Sequence, residues 1–267
     1  MANVIGGIAT SHVPSIGGAI AKGMQKDPYW KPFFDSFDPI HAFLEREKPD
    51  VAVVMYNDHG LSHFLDKMPT FAIGAAEEYK NADEGWGIPV LPPFAGHAAL
   101  SWHLIESLVA DEFDITSCQE HLVDHAFSLP LKLMYPDAKW PVRTVPITIN
   151  SVQHPLPSAL RCWKLGQAIG RALESWPGAE KIVVVGTGGL SHQLDGTRAG
   201  FNNKEGRLEV KARLNVSGQP KPVFATVCLF WTTLTAAAHC AQVLLEDGAC
   251  WARPLEIDSD GRLAFLA

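Results

Sequence analysis

The chain has 267 residues, 47% of them hydrophobic and 19% charged, and a net charge of −7. That length and apolar content suit one domain with a sizeable core and exclude an intrinsically disordered chain, while the acidic balance argues against a nucleic-acid groove. Five cysteines without a CxxC pair, and no charged-then-apolar opening of the secretory kind, predict a protein of a reducing cytoplasm.

In chain order, residues 3–9 form the first apolar run and read as a strand. Residues 39–46 read as a short amphipathic helix. The run Val51-Ala52-Val53-Val54-Met55-Tyr56 is nearly continuous, as expected of a strand covered on both faces. Residues 70–74 predict a further strand. Residues 81–94, rich in Pro, Gly and acidic side chains, read as a long loop of the functional kind. A helix is expected over 96–112, with Leu100, His103, Leu104, Ser107 and Leu108 at helical spacing. Residues 142–149 form the next strand. The longest helix spans 158–176, with Leu160, Leu165, Ile169 and Leu173 as its stripe and Pro177-Gly178 as its stop. Residues 181–187 close the pattern with another strand. This alternation predicts an α/β domain with a mainly parallel or mixed central sheet and helices on both faces.

Three histidines share one context. His12 follows the first strand, in Thr10-Ser11-His12-Val13-Pro14. His59 follows the second, in Tyr56-Asn57-Asp58-His59. His192 follows the last, in Gly186-Thr187-Gly188-Gly189-Leu190-Ser191-His192. Open α/β sheets bind ligands beyond the carboxyl ends of their strands, so the three imidazoles are expected at one edge. Imidazole suits Fe, Zn, Cu and Ni, and two His with one carboxylate is the open arrangement of non-haem Fe(II) oxygenases. Asp58 is either a ligand or a group that caps the turn and orients its neighbour. The glycines at 186, 188 and 189 read as a tight turn, since the P-loop Lys-Ser/Thr is missing. Cys118 and Cys162 read as packing residues. Ser11 and Ser191 lie outside any GxSxG elbow.

Further ordered stretches add to these: Asp27-Pro28-Tyr29-Trp30-Lys31-Pro32, Pro69-Thr70-Phe71-Ala72-Ile73-Gly74, Ala82-Asp83-Glu84-Gly85-Trp86-Gly87, Val123-Asp124-His125, and Arg198-Ala199-Gly200 with Asn203-Lys204-Glu205. Together, residues 1–205 resemble the class III (LigB-type) extradiol ring-cleavage dioxygenases, in particular catalytic β subunits of the protocatechuate 4,5-dioxygenase type. The resemblance implies Fe(II) held by His12 and His59, His192 as the catalytic acid/base, and His125 near the substrate and oxygen pocket. It implies a carboxylated catechol and O2 as substrates, protocatechuate first and gallate or methylgallate as alternatives. It also implies a separate small helical α subunit in an (αβ)2 assembly.

The resemblance stops at Glu205. Ten of the eleven histidines precede that point, whereas three of the five cysteines follow it, and residues 222–245 carry no charge. The expected division is a catalytic domain over 1–205 and a divergent tail over 206–267. A frame-shifted tail is the preferred reading, ahead of a divergent one with a new ligand. A membrane helix over 222–245 ranks last, because four Thr, His239 and Gln242 dilute its hydropathy. The family's third iron ligand, a Glu, would fall in 235–250, where Glu246 and His239 are the suitable donors; Glu209 and Asp58 are outsiders. Two other classes remain in play, a metal-free homologue kept as a binding module and a zinc hydrolase on the same scaffold.

Overall fold

The computed structural model describes residues 2–85, 87–151 and 153–188, together with the backbone of four short strands farther along the chain. In chain order the elements are β1 (Asn3–Thr10), α1 (Pro14–Ala21), α2 (Lys31–Asp35), α3 (Asp38–Glu47), β2 (Val51–Tyr56), β3 (Phe71–Gly74), β4 (Glu78–Asn81) and β5 (Phe94–Ala95). They continue with α4 (Ala98–Ala110), β6 (Thr116–Cys118), β7 (Leu122–Val123), α5 (His125–Met134), β8 (Arg143–Ile149), α6 (Ala159–Ser175) and β9 (Lys181–Thr187). The last four strands, β10 (Leu244–Glu246), β11 (Ala249–Trp251), β12 (Leu255–Ile257) and β13 (Leu263–Phe265), pair as two antiparallel hairpins.

The main sheet runs β1-β9-β2-β8-β3-β6. Its first four strands are mutually parallel; β3 meets β8 antiparallel, and β6 follows β3 in parallel. The sheet is therefore mixed, with a parallel half that carries the strands preceding His12 and His59. A smaller sheet, β5-β4-β7, stands beside it.

β2 shows why its sequence reads as an unbroken apolar run. All six of its residues are buried. Val51, Val53 and Met55 pack with Leu100, Leu104 and Leu108 of α4 and Leu165, Ile169 and Leu173 of α6. Ala52, Val54 and Tyr56 point to the other face and pack with Phe43 and Leu44 of α3 and Phe127 and Leu131 of α5. Strand side chains alternate faces, so a strand roofed on both sides must be apolar at every position.

The expected strands and the three expected helices form within a residue or two of their predicted ends. One core assignment is corrected. Leu160, expected in the stripe of α6, is exposed; Cys162, Ala168 and Ala172 fill the stripe beside Leu165, Ile169 and Leu173. The reason is spacing: Leu160 stands five residues before Leu165, about 140° round the helix from it at 3.6 residues per turn, whereas Cys162, three residues before Leu165, continues the stripe. Among the described residues no helix is long and apolar enough to cross a membrane; residues 222–245 lie outside them.

Gly96 joins the two sheets just ahead of α4, its amide bonded to the Glu77 carbonyl. A Cβ there would stand 2.1 Å from the Ala76 carbonyl oxygen and 2.8 Å from the Tyr79 ring, and a backbone atom cannot rotate away. Gly96→Ala is expected to destabilise the fold by about 1–3 kcal/mol, the range for forced overpacking. Gly18→Ala, in α1 with nothing within 4 Å of the new methyl, is the control and should be neutral or stabilising. Urea midpoints of the two variants test the difference.

Candidate active site

β1, β9 and β2 are neighbours, so residues leaving the C-terminal ends of β1 and β2 emerge at one edge. His12 lies two residues beyond β1 and His59 three beyond β2. A third histidine arrives from α5, of which His125 is the first residue. Ring centroids of His12 and His59 are 5.3 Å apart, those of His12 and His125 5.6 Å, and those of His59 and His125 4.3 Å. One ring nitrogen from each lies within 4.8 Å of the others. His12 and His125 are buried, while the His59 side chain keeps 33% of its surface open.

The first turn of α5 organises this cluster. A helix leaves its first amides unpaired. The His125 amide is taken by Glu84 Oε1 at 2.6 Å and the Ala126 amide by Asp124 Oδ1 at 2.9 Å. The second oxygen of each carboxylate then takes an imidazole. Asp124 Oδ2 accepts both the amide and Nδ1–H of His59, at 2.9 and 2.8 Å. Glu84 Oε2 accepts Nδ1–H of His125 at 2.6 Å. Asp124 is the N-cap of the helix, and it fixes a catalytic-edge histidine with the same carboxylate.

His12 is held through a longer chain of causes. Pro130 sits inside α5 and has no N–H to give to the carbonyl four residues back, that of Ala126. The Thr187 hydroxyl, at the end of β9, donates to that carbonyl at 2.7 Å. With its hydrogen committed, Thr187 Oγ1 accepts Nδ1–H of His12 at 3.0 Å. The hydrogen-bond network thus assigns one tautomer to all three histidines, N–H at Nδ1 and the lone pair at Nε2. Asn57 Nδ2 donates to His59 Nε2 at 3.1 Å, which agrees with that assignment.

These residues fit a metal ion. Imidazoles with outward Nε2 atoms are a donor set for first-row divalent cations. His125 Nε2 is buried without a hydrogen-bond partner, as expected of a group that meets a ligand. Burial pulls the His59 imidazole down, but the bond and charge of Asp124, with Glu84 and Asp58 nearby, outweigh this and set it above its ordinary value.

Asp58 is not a donor to this cluster. Its Oδ2 accepts the amides of Gly60, Leu61 and His63, and its Oδ1 that of Ser62, so it caps the loop that carries His59. Gly186, expected in a tight turn, lies within β9, and Gly188 takes φ +145° as it leaves that strand, its amide bonded to the Thr10 carbonyl of β1; Gly189 lies outside the described residues. His192, Glu209 and His239 lie outside the described residues. Of Glu246 only its place at the end of β10 is described.

Two contributors escaped the reading of residue types. Glu84 comes from the long 81–94 loop, and Asp124 stands directly before His125; Asp-His adjacency was the available signal. Cys118 also needs correction. It is not a simple packing residue, because its sulfur groups with ring nitrogens of His63 and His121 within 4.8 Å, and Cys118-Gln119-Glu120-His121 is a C-x-x-H spacing in the sequence. Burial lowers His63 below its usual value and pushes His121 down to about 4, and it raises the Cys118 thiol. Cys162 is buried in the core, its thiol raised by burial to about 12.

A mixed α/β sheet whose parallel half delivers His12 and His59 to its C-terminal edge, where His125 of α5 joins them, gives a group of imidazoles that could hold a metal ion. Residues 6–219 match the family of the catalytic LigB subunit of aromatic ring-opening dioxygenases, and the chain belongs to that family. Over 125 residues it is 50% identical to a gallate dioxygenase of Pseudomonas putida, a match covering 46% of this chain and 37% of that protein. Over 162 residues it is 32% identical to a 2,3-dihydroxyphenylpropionate/2,3-dihydroxicinnamic acid 1,2-dioxygenase of Rhodococcus globerulus, covering 59% and 48%. An enzyme of the same name from Comamonas testosteroni is 27% identical over 223 residues, covering 83% and 63%. The chain thus spans between about a third and two thirds of the length of these relatives.

Thr187→Val keeps the shape but removes both of the hydroxyl's bonds. Divalent-metal affinity is expected to fall by about 10–100-fold, the range for partners that orient a ligand. Adding Pro130→Ala returns an amide to the Ala126 carbonyl; it should recover stability lost by the single variant without recovering affinity. Isothermal titration and urea melts on both variants separate the two effects.

Proposed function

We propose that this chain is the catalytic part of a LigB-type extradiol dioxygenase that opens the ring of gallate, or a close trihydroxybenzoate, using Fe(II) and O2. The observation that carries the reading is the meeting of His12, His59 and His125 with their Nε2 lone pairs at one edge, in a chain of this family. Gallate is preferred over protocatechuate because half the residues over a 125-residue stretch match a gallate dioxygenase.

In this reading His12 and His59 hold the iron, and the third donor comes from the region of His239 and Glu246. Bound iron would acidify the ring hydroxyls and pass electrons between the diol and O2. The chain's own residues handle position and protons. Asp124 and Thr187 keep the two ligand imidazoles in the metal-binding tautomer. His125 Nε2 takes a hydroxyl proton, and Glu84, paired to the opposite nitrogen, stabilises the imidazolium formed. His192 is the second acid/base. It follows β9, the strand between β1 and β2, takes the proton of the other ring hydroxyl and returns it as the ring opens. A small helical partner subunit covering this edge, and a cytoplasmic location, belong to the same reading.

A second reading is a homologue that folds but holds iron poorly. It is favoured by one observation, that the family match ends at residue 219, ahead of both candidate third donors. The proposed boundary at 205/206 bears on it directly, since a frame-shifted tail would lack the family's Glu.

Anaerobic reconstitution with Fe(II), followed by an oxygen electrode, decides between them. Oxygen uptake is expected with gallate, faster than with protocatechuate. His192→Ala should slow turnover by about 10²–10⁴-fold at unchanged iron content, as for loss of a general acid/base. Iron-replete protein that consumes no oxygen with either compound defeats the proposal; iron binding no tighter than in a His12→Ala/His59→Ala variant establishes the second reading. Glu84→Gln keeps a hydrogen-bond acceptor for His125 but removes the charge. Its kcat should fall by about 10–100-fold with KM little changed, as for other orienting partners.

A further inference from the structure

We propose that His63, Cys118 and His121 form a second metal site, separate from the histidines of the active-site edge, which takes zinc through one thiolate and two imidazoles. The three residues come from three places: the loop after β2, the end of β6, and the turn before β7. Each offers one donor atom, and the three atoms lie within 4.8 Å of one another. His63 and His121 are buried, with 6% and 7% of their surface exposed. Their rings are 5.4 Å apart.

The hydrogen bonds around the cluster hold the imidazoles by their far nitrogens. His63 Nε2 meets Thr148 Oγ1 at 3.1 Å, and the Thr148 hydroxyl is directed to the Ala72 carbonyl, at 3.5 Å. Thr148 therefore accepts from Nε2–H, which leaves the His63 lone pair at Nδ1. His121 Nε2 meets the Tyr56 hydroxyl at 2.6 Å. His121 Nδ1 is buried and has no hydrogen-bond partner. A buried ring nitrogen without a partner is a destabilising feature unless something meets it, and a ring nitrogen of His121 groups with the Cys118 sulfur and a His63 nitrogen within 4.8 Å.

Two imidazoles and a thiol select a borderline-soft cation, of which zinc is the one that accepts this set in tetrahedral geometry. Three protein donors leave one position for water. Zinc would enter as the Cys118 S–H proton leaves to solvent; both imidazoles bind neutral, and no electron changes hands. The amide of His63 is tied to Asp58 Oδ2 at 3.1 Å, in the same loop cap that holds the residues after His59. The ion would therefore brace the loop carrying His59 from its far end.

The test uses the full chain and three readouts. Cobalt(II), a spectroscopic stand-in for zinc, should give a thiolate-to-cobalt charge-transfer band. That band should persist in His12→Ala/His59→Ala and be lost in Cys118→Ser. Thr148→Val should weaken zinc by about 10–100-fold, as for loss of an orienting partner. In the unaltered protein, zinc should abolish alkylation of Cys118, read on its own peptide by mass spectrometry, so that the answer does not depend on any variant folding. Alkylation of Cys118 that saturating zinc leaves untouched overturns the proposal and makes the cluster a polar pocket without an ion. A cobalt band that survives in Cys118→Ser overturns it equally, by assigning the thiolate to another cysteine.

Discussion

The carbonyl of Ala126 has no amide to receive, because Pro130 stands one helical turn beyond it. That deficit is why a threonine hydroxyl from β9 reaches across to α5, and the hydroxyl is why His12 presents its Nε2. The residue before Ala126 is His125, and the one before that is Asp124, which holds His59. Three consecutive residues at one helix end thus set the orientation of all three imidazoles. A buried helix terminus needs partners for its free amides in any protein. Here those partners, Asp124 and Glu84, are carboxylates with a second oxygen to spare, and the spare oxygens orient histidines.

Sheet order does the rest of the placement. β9 lies between β1 and β2, so the turns after β1 and β2 are two strands apart, about 10 Å at the usual strand spacing. Backbones at that separation leave room for two imidazoles to turn inward and meet over the end of the intervening strand. The end of that strand supplies Thr187, whose side chain is fully buried. A polar residue at zero exposure is tolerable because both of its hydrogen-bonding roles are used. The same order explains why the β1-β9-β2-β8 half of the sheet, and not the β3–β6 half, carries the cluster: β3 and β6 run the other way, so their carboxyl ends lie at the opposite edge.

Much of this was legible in the sequence. The strand runs at 51–56 and 181–187 are apolar at nearly every position, and burial on both faces leaves no other composition open to them. His12 and His59 were legible because strand ends are recognisable and ligand edges follow from them. His125 was legible only through family likeness, since it begins a helix rather than ending a strand. Glu84 was hidden by distance, 41 residues from the histidine it holds, and a loop residue has no periodicity to mark its target. Cys118 was misread for a different reason. Its nearest histidine is three residues away, but the second, His63, joins it only because β2, β8 and β6 bring separate loops together. Leu160 shows the opposite error: it stands five residues before Leu165, not three or four, and so falls off the face that the rest of the stripe shares.

The two histidine clusters share one device used in opposite senses. Thr187 and Thr148 both give their hydrogen to a backbone carbonyl, Ala126 or Ala72, and both then accept from an imidazole. At Thr187 the accepted hydrogen is on Nδ1, which directs the His12 Nε2 outward; at Thr148 it is on Nε2, which directs the His63 Nδ1 inward. A serine or threonine hydroxyl on its own can donate or accept and selects no tautomer. One whose hydrogen is already committed to a carbonyl can only accept, and it selects the tautomer as firmly as a carboxylate without placing a buried charge beside the ligand. Burial does not separate the two kinds of anchor, since Asp124 and His125 are 1% and 5% exposed, as enclosed as His12 and His63 at 7% and 6%. Charge separates them. Asp124 and Glu84 place a negative charge beside His59 and His125, and that charge sets the His59 imidazole above its ordinary value. The threonines fix the tautomer of His12 and His63 without adding one.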